Sequence, residues 1–283
     1  MALEAGYHFN QGSLQDYVDC PRRFHLRHVR QLRWPAVQSK PVLENERHLQ
    51  LGTALHHLIH QHVTGISPTV LSRTITDPKL RRWWDNYLES DILPPQHRCY
   101  PEIVLSTSLG DWRLVARYDL VAVNPSGDEA LIVDWKTNRK RPRRTKLRER
   151  LQTRIYPYVL VEGREEITER RALEPGGLRM IYWFANFASR PEEFAYDTQR
   201  HQDNEVFLLR LVEEIADQLA ALQGGELLPR TDERVHCATC RYRSLCRRGV
   251  EPGLLSDEED DGMGEGSFDL KLDFEQIAET EIT

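Results

Sequence analysis

Apolar residues recur with a helical period toward both ends of this chain and with strand-like density in its middle. Ser13, a residue suited to capping, precedes Leu14, Tyr17 and Val18 and predicts a first helix that stops before Pro21. Leu51, Leu55, Leu58 and Ile59 form one stripe of a helix expected over Asn45–His62, and a further helix is expected over Leu80–Glu89. The runs EIVLSTSL, WRLVARYDLVAV and ALIVDWK then read as strands, with the turn cluster NPSGDE making the last two a hairpin. Leu151–Val161 reads as a helix, LRMIYWFANF as a buried strand, and Asp203–Leu222 as a long amphipathic helix closed by Gly224. Helices, strands with a crossover helix, and a final helix predict an α/β fold with a mixed central sheet flanked by helices.

Length and composition fit this picture. The 283 residues, 40% of them hydrophobic, suffice for a substantial core, and no internal repeat is visible. No window approaches the roughly 18 apolar residues of a membrane span, and the opening MALEAGYHFN lacks a signal peptide's regions, so a cytoplasmic protein without a membrane partner is expected.

The formal charge of -6 hides an asymmetry. Residues 251–283 hold twelve acids and one lysine, so that of 38 basic and 44 acidic side chains, 37 and 32 belong to residues 1–250, a balance of +5. Residues 1–250 are therefore read as the folded domain and 251–283 as an acidic, disordered tail. Within the domain, the run RKRPRRTKLRER brings Arg139, Lys140, Arg141, Arg143 and Arg144 together, a pattern suited to neutralising the phosphates of DNA.

Asp134 and Lys136 lie two apart on a predicted strand, so they share a face while Trp135 points away. Asp119, on the preceding strand of the hairpin, places a second carboxylate within reach. Paired carboxylates suit a hard divalent cation such as magnesium or manganese, and a lysine beside them can orient water and offset phosphate charge. His56, in GTALHHLIH, offers an imidazole ligand, which suits manganese somewhat better. Gln152 and Tyr156 share a helix face after the basic run, placed to contact a nucleic-acid backbone or base, although Pro157 is expected to kink that helix.

Together these residues resemble the RecB-like branch of the PD-(D/E)XK nuclease superfamily. Gly52 with His56, then Asp119, then Asp134 with Lys136, then Gln152 with Tyr156 follow that branch's order of GxxxH, Asp, (D/E)xK and QxxxY. Ala116, where many relatives have glycine, and Pro157 depart from the pattern. The resemblance implies a restriction-endonuclease-like fold, a metal held by His56, Asp119, Asp134 and the Trp135 carbonyl, and catalysis by Lys136 with Asp134 and Asp119. Gln152 and Tyr156 would then contact DNA.

Cys20 lies far upstream of the compact group Cys237, Cys240 and Cys246, while Cys99 stands apart. Four such thiolates can hold an iron-sulfur cluster or a structural zinc ion. Their spacing is similar to that of the branch's iron-sulfur nucleases, which include the AddB nuclease domain and the CRISPR-associated adaptation nuclease. That likeness implies a four-iron four-sulfur (4Fe-4S) cluster clamping the domain's termini. The function implied is metal-dependent cleavage of single-stranded DNA or DNA ends in repair, recombination or CRISPR adaptation. The chain has no GxxxxGK[ST] phosphate loop, so any helicase motor would come from a partner, as would the rest of an adaptation machinery. Two other readings stand beside it: an iron-sulfur accessory protein that binds DNA without cutting, and a sensor whose cluster state controls DNA binding.

Overall fold

A computed structural model describes residues 3, 7–33, 40–163, 167, 173–238 and 240–249. The acidic segment 251–283 lies outside the described residues, so the expected division at 250/251 does too. No helix among the described residues is long and apolar enough to cross a membrane.

The chain begins with strand β1 (His8–Asn10), helix α1 (Gln11–Asp19) and a short α2 (Pro21–Phe24) that widens into one π-helical turn, His25–Val29. Three helices follow, α3 (Lys40–Val63), α4 (Pro68–Thr74) and α5 (Pro78–Leu88). The strands are β2 (Arg98–Pro101), β3 (Val104–Leu109), β4 (Trp112–Arg117), β5 (Leu120–Val123) and β6 (Ala130–Lys136). Helices α6 (Arg144–Glu149) and α7 (Leu151–Glu162) lead to β7 (Leu178–Phe184), β8 (Glu192–Ala195) and α8 (Thr198–Ala220).

Two mixed sheets result, and the chain passes directly from a strand of one to a strand of the other twice. The larger has the order β2-β5-β6-β7-β8, with β6 and β7 parallel and the other pairs antiparallel. The smaller is β1-β4-β3, with β1 parallel to β4. WRLVARYDLVAV therefore does not form one strand. Its first half pairs in the small sheet as β4, its second half in the large sheet as β5, and Tyr118–Asp119 bridge them. The chain makes the opposite crossing between β2 and β3, at Glu102. Both crossings are pinned together by Glu102 N–H donating to Asp119 O (3.0 Å) and Tyr118 N–H donating to Ile103 O (2.9 Å).

The cap of α1 is Asn10 rather than Ser13. Asn10 Oδ1 accepts from Ser13 N–H at 2.8 Å, while Ser13 Oγ accepts from Asn10 N–H at 3.0 Å, a reciprocal capping box with serine in the third helical position. The β5-β6 hairpin forms as expected, with Asn124 Oδ1 accepting from Gly127 and Glu129 N–H inside its turn.

The alternation of β6 sorts its side chains to two cores. Leu131, Val133 and Trp135 pack under α3–α5 with Trp83, Trp84 and Tyr87, whereas Ala130 and Ile132 face the side of α7 and α8. Helix α7 contacts β3 and β4 of one sheet and β7 of the other, and it is buried nearly all round. It continues through Pro157 to Glu162. Tyr118 Oη donates to the Tyr156 carbonyl at 2.9 Å beside that proline.

The two ends of the domain meet through hydrogen bonds. Arg22 N–H donates to Pro229 O (2.9 Å), Leu228 N–H to His25 Nδ1 (3.1 Å), and Tyr242 Oη to Leu32 O (2.8 Å). None of the five cysteines is in a disulfide.

Candidate active site

The centre forms where β6 ends and the chain passes between sheets. Helix α3 comes close to the chain just beyond β6 because Gly52 has no side chain: a Cβ there would lie 3.2 Å from Thr137 Oγ1. One turn later, His56 Nε2 lies 3.0 Å from the Trp135 carbonyl and Nδ1 lies 3.2 Å from Asp119 Oδ1. The other Asp119 oxygen accepts the Trp135 N–H at 2.8 Å. The peptide groups of Trp135 thus orient both the imidazole and the carboxylate. Its side chain faces the opposite core, as the alternation predicts.

These contacts favour the protonated imidazole. With Nε2–H donating to the Trp135 carbonyl, Nδ1 faces a carboxylate oxygen, an arrangement that calls for a positive charge between them. Burial pulls the His56 pKa down, but Asp119's charge and hydrogen bond, helped by Asp134 and Glu102, outweigh it and raise the value to about 9. For Asp119, burial pushes upward while His56, Lys136 and the Trp135 N–H pull further the other way, leaving its pKa lowered.

Asp134 and Lys136 do share a face. Lys136 Nζ lies 2.9 Å from Asp134 Oδ2, and Gln152 Nε2 donates to Asp134 Oδ1 at 2.5 Å. All three are nearly buried, with relative exposures of 7% for Lys136, 2% for Asp134 and 3% for Gln152. Lys136 also lies 5.8 Å from the centre of the Tyr182 ring.

Among the described residues, one set of three potential ligands has donor atoms within 4.8 Å of one another, and it is His56, Asp119 and Glu102. The sequence reading placed Asp134 with His56 and Asp119 and missed Glu102. Asp134 instead directs its oxygens at Lys136 and Gln152. Glu102 arrives through the paired crossings between sheets, with a backbone φ of +53° that a glutamate rarely adopts. One imidazole and two carboxylates are a donor set that fits a divalent cation, magnesium or manganese included.

The residues expected to touch DNA divide. Gln152 is occupied by Asp134, and Tyr156 is 2% exposed with its ring centre 5.0 Å from that of Tyr118, so neither offers its side chain at the surface. Arg141 and Arg144 pair with Glu192, the latter at 2.6 Å, and bond the carbonyls of Arg190 and Glu193 at 3.1 and 2.7 Å. They bind the basic loop to β8. Arg139, Lys140 and Arg143 are exposed.

Cys20, Cys237, Cys240 and Cys246 line one cavity with Arg23, Arg230 and Arg243, whereas Cys99 is elsewhere, against the α3–α5 core. No three of the sulfurs come within 4.8 Å of one another, so the thiols do not themselves close the clamp. Burial pushes the Cys240 thiol up to about 11 and raises Cys246 as well.

The solved structure of SSO0001 is 13% identical over 88% of this chain and 88% of its own, with a TM-score of 0.45. A proposed exonuclease from Eubacterium rectale is 9% identical over 74% of this chain and 79% of its own, with a TM-score of 0.46. No curated protein matches the chain. The sequence pattern of one family runs through residues 8–247, taking in both crossings between the sheets, β6 and the cysteine lobe, and by that match the chain belongs to the PD-(D/E)XK nuclease superfamily.

Proposed function

We propose that this protein is a divalent-metal-dependent deoxyribonuclease of the RecB-like branch, cutting single-stranded DNA or DNA ends. Membership of the superfamily carries nuclease chemistry with a divalent metal. The observation that carries the placement of that chemistry is Asp119. One of its oxygens is fixed by the Trp135 N–H and the other faces His56, while Asp134 and Lys136 flank Trp135 on β6.

His56, Asp119 and Glu102 would hold magnesium or manganese, with Asp134 and the Trp135 carbonyl at its edge. Such an ion supplies Lewis acidity and a more acidic bound water. Lys136, nearly buried and paired with Asp134, places a fixed positive charge where charge builds on the phosphate. Gln152 holds Asp134 in the orientation that keeps Lys136 there, a positioning role in place of the expected DNA contact. Exposed Arg139, Lys140 and Arg143 would attract the strand.

The four cysteines would hold a 4Fe-4S cluster, with residues 1–250 acting as one nuclease domain and 251–283 as a separate tail. Support comes from the cavity that all four cysteines line and from their spacing along the sequence. A helicase or adaptation partner and a cytoplasmic location complete the reading.

The test is cleavage of end-labelled single-stranded and duplex DNA by anaerobically prepared protein with magnesium, manganese or chelator, beside Asp134→Asn. Cutting that needs the metal and is abolished by the substitution supports the nuclease. DNA binding without cutting under every condition favours the accessory protein instead.

A further inference from the structure

We propose that Arg117 is a phosphate-binding residue whose pairing with Glu102 couples DNA binding to cation binding. The inference rests on the nuclease reading above and adds a residue to it. Glu102 holds a left-handed backbone conformation that glycine or asparagine adopts with less strain, at the point where the chain leaves the large sheet. That conformation brings its carboxylate to His56 and Asp119.

The same carboxylate is already engaged. Arg117 Nε and Nη2 both donate to Glu102 Oε2, at 2.9 and 2.6 Å. Arg117 is the last residue of β4, two positions before Asp119, and its side chain is 50% exposed against 23% for Glu102. The guanidinium therefore stands on the solvent side of the cation ligands. A pair this exposed is weak and exchangeable.

A cation reaching His56, Asp119 and Glu102 competes with Arg117 for the glutamate's charge. The displaced guanidinium keeps its charge and its fork of donors, which matches a phosphodiester. A DNA strand that offers a phosphate to Arg117 in turn frees Glu102 for the cation. Each ligand then tightens the other, and by linkage the two factors are equal.

Calcium titration by calorimetry, with and without a short single-stranded oligonucleotide, tests this on wild type, Arg117→Gln, Arg117→Lys and Glu102→Gln. In wild type the oligonucleotide should tighten calcium binding severalfold. Arg117→Gln should bind calcium about threefold to tenfold more tightly without DNA and lose the coupling. Arg117→Lys, which keeps the charge without the fork, should fall between them. Glu102→Gln should bind calcium more weakly and show no coupling. Equal calcium affinity and equal coupling in wild type and the two Arg117 variants overturn the proposal while leaving the nuclease standing. Absence of calcium and manganese binding by wild type would remove the nuclease reading and this inference with it.

Discussion

The carboxylate–histidine centre and the cysteine lobe are both candidate metal sites, yet they are built in opposite ways. In the first, backbone groups of one residue, Trp135, hold His56 and Asp119, and Gln152 holds Asp134, so the donors are arranged before any ion arrives. In the second, Cys20 and Cys246 come from opposite ends of the domain, and the loops between are tied by arginines to carbonyls. Arg230 donates to Cys246 O at 2.6 Å, Arg243 to Ala238 O at 3.0 Å and Arg248 to Thr231 O at 3.1 Å. No three of the thiol sulfurs lie within 4.8 Å of one another. A centre fixed by sheet register suits chemistry, which needs preorganised charge; the proposed cluster in the lobe would instead join the domain's two ends and add stability.

The sharpest break in this comparison is a pair of substitutions. Asp119→Asn should lower cleavage by about a hundredfold or more, the scale for losing a group that positions or stabilises developing charge, with a drop in melting temperature that comes from the lost His56 ion pair and shrinks as pH rises toward 9. Cys240→Ser tests the proposed cluster: visible absorbance of anaerobically prepared protein should be lost and the melt should fall several degrees at every pH, whether or not cutting survives. If Cys240→Ser melts like wild type, the lobe is not a stabilising clamp.

A smaller effect is expected at Gln152. Gln152→Ala removes the amide from a buried carboxylate, costing about 1–3 kcal/mol of stability and reducing cleavage while DNA affinity holds. Weakened DNA binding with unchanged stability would restore the surface role expected from sequence.

The His56 imidazole should titrate near 9 in metal-free protein, readable by NMR, and fall when Asp119 is changed to Asn. Because the folded value is raised above the ordinary 6.5, the ion pair stabilises fully below about pH 6.5 and is lost as pH climbs through about 9. A value near 6.5 in both proteins would contradict the tight His56–Asp119 contact.

The smallest difference concerns the basic loop. Arg143→Ala should weaken DNA binding more than Arg141→Ala, since Arg141 is held by Glu192 and Arg190. Equal effects on affinity and its salt dependence would place both on the DNA path.

What could be read in the sequence was what depends on local period. The two-residue spacing of Asp134 and Lys136 and the one-turn spacing of Gly52 and His56 fix those side chains' faces wherever the elements pack. Glu102 was out of reach for the opposite reason. Its approach to Asp119 depends on two crossings between sheets, and WRLVARYDLVAV carries no glycine or proline to mark one. The only hint was an acid after Tyr100–Pro101, echoing Asp119 after Tyr118. Gln152 and Tyr156 were misread as surface groups because α7 is enclosed by both sheets and α8, and a helix pattern does not reveal how many sides are covered. Ser13 was assigned the cap because a capping box has a polar residue at each of two positions, and Asn10 holds the other.

The most direct measurement is single-turnover cleavage of labelled single-stranded DNA at saturating manganese by wild type and Lys136→Ala, with DNA affinity measured in parallel. Cleavage lost by about a hundredfold or more at unchanged affinity is the expected result. Cleavage by Lys136→Ala at the wild-type rate would contradict the placement of the reaction at the end of β6.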